Sequence, residues 1–245
     1  MAKVYRMTYA GHPMHYSFLY PATRARLRPL PRAVEGVEPD IRVSPEKIEL
    51  GRNFLPPDAS DDYVEYRCLI ELTARALLRW HCSIFHSAAF TWRGRAWLLT
   101  GPSEVGKTTQ YLNWQRLHPG EIQMISGDMP VLETRDDGTV WVHPSSWNGK
   151  EDLHSAVSAP LGGLVLLEQG PENIIEPLVP RDTVMPLLQQ FIVVPETRAD
   201  ILALSQVLER MLQAVPAWKY RDLGDDASTE LLRATLMASL EEGEG

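Results

Sequence analysis

The sequence has 245 residues and a formal net charge of −8, from 24 basic and 32 acidic side chains. This acidic balance disfavours a general nucleic-acid binder, because such proteins need a basic surface to neutralise phosphates. No segment approaches the roughly 18 apolar residues needed to cross a bilayer, and no apolar run of the secretory type follows the first residues. We therefore expect a cytoplasmic protein that contacts neither nucleic acid nor a membrane.

The first part of the chain, residues 1–58, is predicted to form a small β-rich N-terminal lobe. Its short apolar runs are interrupted by glycines and prolines, and residues 16–20 and 48–50 have the pattern of short strands. Residues 59–245 are predicted to form the other domain, which ends in helices. The lobe also carries a basic cluster, namely Arg24, Arg26, Arg28 and Arg32. Such a cluster is either a solvated face or a dock for an acidic peptide.

A long core-facing helix is predicted to follow the lobe, from Ser60 to about residue 80. Ser60 can cap the first amides of this helix, and the two aspartates after it complement the positive end of the helix dipole. Apolar side chains then recur at helical spacing, for example at Tyr66, Ile70 and Leu77. The spacing indicates an apolar stripe that packs against the core.

The middle of the chain has the pattern of two β-hairpins. Residues 83–90 and 96–100 flank a glycine-containing turn, and residues 131–134 and 139–142 flank another. Single buried strands are predicted at residues 122–125 and 164–168. Helices are predicted near residues 108–117, 182–190, 199–214 and 227–241.

The segment from Gly101 to Thr108 reads Gly-Pro-Ser-Glu-Val-Gly-Lys-Thr and matches the GxxxxGK[ST] pattern of a phosphate-binding loop. It follows an apolar strand and precedes a helix, which is the context that this loop requires. Glycines let the backbone approach phosphate oxygens, and the start of a helix directs partial positive charge at them. Lys107 would neutralise the β- and γ-phosphates, and the Thr108 hydroxyl would bind Mg²⁺.

The loop therefore predicts ATP and Mg²⁺ as cofactors. Glu104 is a departure, because many such loops have glycine at that position. The predicted nucleotide-binding residues are Gly101, Pro102, Ser103, Glu104, Val105, Gly106, Lys107, Thr108 and Thr109.

Three side chains beyond the loop are further candidates for catalysis. Asp128 follows a buried strand and can orient an acceptor hydroxyl or bind Mg²⁺, or it is a turn residue. His86 lies in an apolar strand and is either a satisfied core residue or a partner of Asp128 or of a phosphate. Lys150 follows a glycine and is either an exposed turn residue or a ligand of the transferred phosphoryl group or of the acceptor. The predicted catalytic residues are Asp128, His86, Lys107 and Lys150, and the predicted metal ligands are Thr108 and Asp128.

The order of these motifs resembles the catalytic domain of HPr kinase/phosphorylase over roughly residues 83–170. His86, in Phe-His-Ser, matches the family's histidine ahead of the phosphate loop, and Asp128 falls where the family has a pair of aspartates, so one of the two is missing. Residues 141–150 look like the related kinases of lasso-peptide gene clusters. The resemblance implies an α/β fold with an HPr kinase/phosphoenolpyruvate carboxykinase-like P-loop core, a small N-terminal β-rich lobe and C-terminal helices.

The same resemblance implies a function. It implies an ATP-dependent kinase that transfers the γ-phosphoryl group to a hydroxyl, with a serine of a peptide or protein as the acceptor, and it suggests a homo-oligomer. Two alternatives stay open, because fold-level analogy does not decide function. They are a kinase of the same fold that acts on a small molecule, and a nucleotide-binding sensor without catalysis. A compact anionic-substrate pocket with several arginines would favour the former, and a missing acceptor base would favour the latter.

Overall fold

A computed structural model of the chain describes residues 3–148 and 153–243, which we call the described residues. They form twelve β-strands and seven α-helices. The strands are β1 (Val4–Tyr9), β2 (His12–Ser17), β3 (Arg32–Val34), β4 (Cys82–Ile84), β5 (Ser87–Trp92), β6 (Arg95–Thr100), β7 (Gln123–Ser126), β8 (Val131–Thr134), β9 (Val140–His143), β10 (Ala159–Gln169), β11 (Ile174–Pro177) and β12 (Ala217–Asp222). The helices are α1 (Pro21–Ala25), α2 (Pro45–Arg52), α3 (Asp61–Leu77), α4 (Lys107–Leu117), α5 (Pro180–Leu188), α6 (Arg198–Ala214) and α7 (Asp226–Gly243). Within the described residues, no helix is both long and apolar enough to cross a membrane.

The larger sheet is mixed and contains nine strands. Seven of them follow the order β4-β8-β9-β10-β6-β5-β7, while β12 pairs with β10 and β11 pairs with β12. The long strand β10 pairs with two strands along one side. Its first residues pair with β9, and residues 164–169 pair with β12. The α/β class predicted from the sequence is confirmed.

The directions of the strands bring the ends of several strands to one edge of this sheet. The strand β5 is antiparallel to both β6 and β7, so β6 and β7 run in the same direction. The strand β10 is parallel to β6, and β12 is parallel to β10. The carboxyl ends of these four strands and the start of β5 therefore meet at one edge. That edge is where ligands of open α/β sheets commonly bind.

Helices cover both faces of the central strands. Along β5, Ala89 packs in the hydrophobic cluster that includes α5 and α6, whereas its neighbours Ala88 and Phe90 pack in the cluster that includes α4 and α7. This alternation is expected because successive residues of a strand point to opposite faces. The sheet is thus the middle layer between two pairs of helices.

The N-terminal residues form a separate three-stranded sheet with the order β2-β1-β3. Its buried side chains include Tyr9, Met14 and Tyr16, which share one hydrophobic cluster with Leu69 and Leu77 of α3. Strands are therefore present in the region predicted to be β-rich. The division of the chain into domains at residue 58 stays a prediction.

The two predicted N-terminal strands need correction. Residues 48–50 lie in α2, because Ser44 is the N-cap of this helix and Pro45 occupies its first position. The Ser44 hydroxyl accepts a hydrogen bond from the Lys47 amide at 3.3 Å, and such a helix start outweighs a short apolar alternation. The strand β2 ends at Ser17, earlier than predicted, since α1 begins at Pro21.

Most of the elements predicted for the rest of the chain are present. Both hairpins, β5-β6 and β8-β9, are confirmed, and α3, α4 and α6 lie close to the predicted positions. The helix α3 follows Ser60, although the Ser60 side chain makes no capping hydrogen bond. The prediction of one strand over residues 83–90 is wrong, because β4 and β5 have different partners and His86 lies at the break between them. The strands β11 and β12 have no counterpart among the predicted elements.

A buried carboxylate ties the N-terminal residues to α3. Glu65 is fully buried, and it accepts hydrogen bonds from the backbone amides of Leu19 and Tyr20 at 2.6 and 3.1 Å. It also accepts a hydrogen bond from the Thr23 hydroxyl. These charge-assisted bonds offset the cost of removing the carboxylate from water. The segment between β2 and α1 is thereby held on α3.

Replacing Glu65 by alanine leaves these buried donors without an acceptor. We expect Glu65→Ala to lower the free energy of unfolding by about 3 kcal/mol, which urea denaturation followed by circular dichroism measures. Among the described residues, Glu71 on the same helix makes two long ion pairs, to Lys47 at 3.6 Å and Arg75 at 3.5 Å. The control Glu71→Ala should therefore cost less than about 1 kcal/mol. Equal losses in the two variants would contradict the anchoring role of Glu65.

Candidate functional site

The loop between β6 and α4 has a backbone that depends on glycine at two positions. Gly101 has φ +142° and Gly106 has φ +115°. At Gly101 an added Cβ would lie 2.7 Å from the backbone oxygen of Leu167 in β10, so the loop lies directly against that strand. Glu104 also has a positive φ, of +65°, and its carbonyl oxygen accepts a hydrogen bond from the side chain of Gln169 at 3.1 Å. The loop is thus anchored on β10 at two points.

The helix α4 begins directly after this loop, and none of the described side chains caps its first amides. Uncapped amides and the helix dipole together form an anion-binding position. Lys107 lies over the loop, where its Nζ donates to the backbone oxygens of Gly101 and Pro102 at 3.0 and 2.9 Å. Burial lowers the pKa of Lys107, and the negative charge of Asp128 acts in the opposite direction. Positive charge and free N–H donors therefore converge on one place.

Asp128 and His86 face each other at the same edge of the sheet. Asp128 follows the end of β7 and His86 directly precedes β5, and His86 Nε2 lies 3.4 Å from Asp128 Oδ1. The backbone of both residues is held in place. The Ser87 amide donates to the Asp128 carbonyl oxygen at 2.9 Å, and the Thr100 hydroxyl donates to the His86 carbonyl oxygen at 2.8 Å.

Gln190 orients the imidazole ring of His86. His86 Nδ1 lies 3.1 Å from Gln190 Oε1, while Gln190 Nε2 donates to the Pro186 carbonyl oxygen at 3.3 Å. An amide oxygen can only accept a hydrogen bond, so His86 Nδ1 carries a hydrogen. Nε2 is then the ring nitrogen that faces Asp128.

These groups open into one cleft of ≈ 840 Å³. The predicted site residues that line it are His86, Ser103, Glu104, Gly106, Lys107, Thr108, Thr109 and Asp128. The two predicted metal ligands thus share the cleft with the loop. Val105 is buried beside it and packs in the core, and Lys150 lies outside the described residues.

One wall of the cleft comes from α3 and from the N-terminal residues, and it was not predicted. Arg26, Tyr63 and Arg67 line this wall. Arg26 Nε donates to Asp62 at 2.8 Å, and its guanidinium lies 5.4 Å from the centre of the Tyr63 ring. The Arg67 side chain is exposed and makes no hydrogen bond or ion pair within the described residues. The wall therefore offers a cation that is available to an anionic ligand.

Tyr66 belongs to the same wall. Burial raises the pKa of Tyr66 to about 12, and the nearby charge of Asp128 acts in the same direction, so the phenol stays a hydrogen-bond donor. Its ring packs edge-on against Trp147 at 5.3 Å. Helical periodicity indicated Tyr66 as a core residue, and no sequence signal shows that it also borders a cleft.

A second buried carboxylate, Asp222, supports the loop. It stands at the end of β12, and its two oxygens accept hydrogen bonds from the Gln110 amide group, each at 2.9 Å. It also accepts from the Gly224 amide at 2.6 Å, and it lies close beside Gly106. Because Gln110 is on α4, Asp222 holds this helix where it faces the loop. No motif marked Asp222, since β12 was not among the predicted elements.

The basic cluster predicted in the N-terminal lobe does not share one surface. Arg26 lines the cleft, while Arg32 lines a neighbouring groove. The guanidinium of Arg24 lies over an aromatic ring, and Arg28 donates to backbone oxygens of its own segment. The four side chains therefore occupy four different environments.

No protein-family model matches the sequence, and no curated protein matches it either. Among solved structures, the Hpr(Ser) kinase/phosphatase from Coxiella burnetii is similar over 53% of this chain and 91% of its own, with 13% identity and a TM-score of 0.28. A likeness of this size assigns neither a family nor an activity to the chain.

Proposed function

We propose that this protein is a kinase that uses ATP with Mg²⁺ and transfers the γ-phosphoryl group to a hydroxyl. The observation that supports this most directly is the convergence of Lys107, the start of α4 and Asp128 on one cleft. Phosphoryl transfer requires little covalent chemistry from the protein, and it is catalysed mainly by positioning and charge neutralisation. These groups are suited to both tasks.

The residues of the loop fit a phosphate chain. The amides at the start of α4 have no side-chain cap, and the backbone oxygens that hold Lys107 leave its ammonium group beside those amides. Thr108 and Asp128 would hold Mg²⁺, because both offer the oxygen ligands that this ion prefers. The ion would supply further neutralisation of phosphate charge.

The pair of Asp128 and His86 supports catalysis over simple nucleotide sensing. In the role that is the alternative to binding Mg²⁺, Asp128 would orient the acceptor hydroxyl and accept its proton. His86, held by Gln190, would then stabilise the carboxylate from the other side. A sensor would not need a carboxylate and an oriented imidazole beside the loop.

For the acceptor we propose a serine of a peptide, on the strength of the motifs shared with HPr kinases and with lasso-peptide kinases. A specific observation also favours the alternative of a small anionic substrate, because Arg26 and Arg67 line the cleft. Both acceptors could use the free guanidinium of Arg67, so the two proposals differ in the size of the substrate.

Removal of the Lys107 ammonium tests nucleotide binding. We expect Lys107→Ala to weaken Mg–ATP binding by roughly 10- to 100-fold, as for a lost charge-assisted hydrogen bond, and to abolish turnover. Calorimetric titration and the release of ADP measure the two effects. Lys219 forms an ion pair with Glu168 outside the cleft, so Lys219→Ala is the matched control and should behave as wild type. Near wild-type turnover in Lys107→Ala would overturn the proposal.

Replacement of Asp128 by asparagine separates its two possible roles. If Asp128 accepts the proton, Asp128→Asn should retain Mg–ATP affinity and lose roughly 10²- to 10⁴-fold in kcat. If it binds Mg²⁺, the affinity for ATP in the presence of Mg²⁺ should fall as well. Asp136 lies in an exposed turn, and Asp136→Asn is the control. Unchanged turnover and affinity in Asp128→Asn would show that this residue is structural.

An acceptor screen distinguishes peptide from small-molecule substrates. We expect serine-containing peptides to be phosphorylated with a higher kcat/KM than free serine or carboxylated small alcohols. Arg67→Ala should raise the KM for the acceptor while kcat stays near wild type, which marks lost binding with intact chemistry. Arg79 lies over Trp80 outside the cleft, so Arg79→Ala serves as control. Faster reaction of a small alcohol than of any peptide would favour the metabolic kinase.

A further inference from the structure

We propose that a second, cationic groove beside the cleft binds an acidic segment of the acceptor peptide, a role that rests on the proposed kinase function. This arginine groove has a volume of ≈ 760 Å³, and its lining includes Arg6, Thr8, Arg32, Ser145 and Ser146. Arg32 belongs to the basic cluster noted in the sequence, whereas Arg6 is not part of that cluster. The position and the charge of the groove carry the proposal.

The groove contains two arginines that lie directly opposite each other. Arg6 of β1 and Arg32 of β3 are cross-strand partners in an antiparallel pair, so their side chains project from the same face of the small sheet. Like charges in this arrangement repel each other and disfavour strand pairing. An anionic ligand between the two guanidinium groups would relieve the repulsion.

No acidic side chain among the described residues pairs with these two arginines. Both arginines are exposed, and neither guanidinium makes a hydrogen bond or an ion pair within the described residues. This is notable in a chain with 32 acidic and 24 basic side chains, where partners for arginine are abundant. Guanidinium groups bind carboxylates in a bidentate manner, so a peptide with acidic side chains matches the groove.

The shape of the groove suits an extended peptide. The strand β3 is an edge strand of the three-stranded sheet, and prolines 29, 31 and 144 form part of the groove wall. Proline restricts φ, so these parts of the wall lose little conformational entropy when a ligand binds.

The arginine groove lies next to the cleft. The segment after β9 contributes Ser145 and Ser146 to the groove and Asn148 to the cleft. Two residues of extended chain span about 7 Å, so a bound peptide needs only a few residues to pass from one cavity to the other. Hydrogen bonds hold the partition between the cavities: the Arg28 amide donates to the Ser146 carbonyl oxygen at 3.2 Å, and the Asn148 side chain donates to the Arg28 carbonyl oxygen at 3.1 Å. The preferred acceptor therefore has acidic residues a few positions from its serine.

The test measures binding without nucleotide. A fluorescein-labelled oligoglutamate peptide with one serine is titrated with the full-length protein at low salt, and its oligoglutamine counterpart serves as the neutral probe. We expect the acidic peptide to bind by fluorescence anisotropy and the neutral peptide not to bind. The double variant Arg6→Ala/Arg32→Ala should weaken binding about tenfold, since two exposed charge contacts are lost. Circular dichroism confirms that the variants are folded.

A matched control and a charge reversal make the result specific. Arg79 and Arg93 each lie over a tryptophan ring outside the groove, so Arg79→Ala/Arg93→Ala removes the same charge and should bind as wild type. The reversed variant Arg6→Glu/Arg32→Glu should lose the oligoglutamate peptide and bind an oligolysine peptide instead. Equal binding of the acidic peptide by wild type and by Arg6→Ala/Arg32→Ala would overturn the proposal, as would a preference of the groove for inorganic phosphate or an oligonucleotide.

The experiments distinguish a failure of the groove proposal from a failure of the kinase proposal. Lys107→Ala should bind the oligoglutamate peptide as wild type does, because the loop is not part of the groove. Binding without any transfer of phosphate from ATP would support the groove and overturn the kinase. Transfer to the acidic peptide with a KM that is unchanged in Arg6→Ala/Arg32→Ala would support the kinase and overturn the groove.

Discussion

The position of β5, antiparallel between β6 and β7, is the constraint on which the candidate site depends. It makes β6 and β7 run in the same direction, so that the loop after one and Asp128 after the other lie at the same edge of the sheet. It also places His86, just before β5, at that edge. One reversal of strand direction thus brings together three chain segments that are separated in sequence.

Two buried carboxylates connect the elements that border this edge. Glu65 holds the N-terminal segment on α3, which supplies one wall of the cleft, and Asp222 holds α4 against the end of β12. Each carboxylate is buried and accepts several hydrogen bonds. These hydrogen bonds form only when parts of the chain that are distant in sequence are correctly placed. Glu65 and Asp222 thus hold the helices α3 and α4, which carry the cations Arg67 and Lys107 of the cleft.

The charge distribution separates two kinds of binding surface. The start of α4 and Lys107 form a compact position suited to phosphates. Arg6 and Arg32 lie on the N-terminal sheet beyond the cleft, and their guanidinium groups have no ion-pair partner in the described part of the chain. A kinase that acts on a peptide would use both surfaces, since the first positions the reacting group and the second selects the polypeptide that carries it.

The sequence alone determined the α/β class, the hairpins and the loop from Gly101 to Lys107, because those features arise from contiguous residues and short-range periodicity. The tertiary structure decided the partners of that loop. Gln190 reaches His86 across 104 positions, and Asp222 reaches Gln110 across 112. The pairing of Arg6 with Arg32 likewise depends on strand register. No local pattern records such contacts, since they exist only once the sheet has set the directions of its strands.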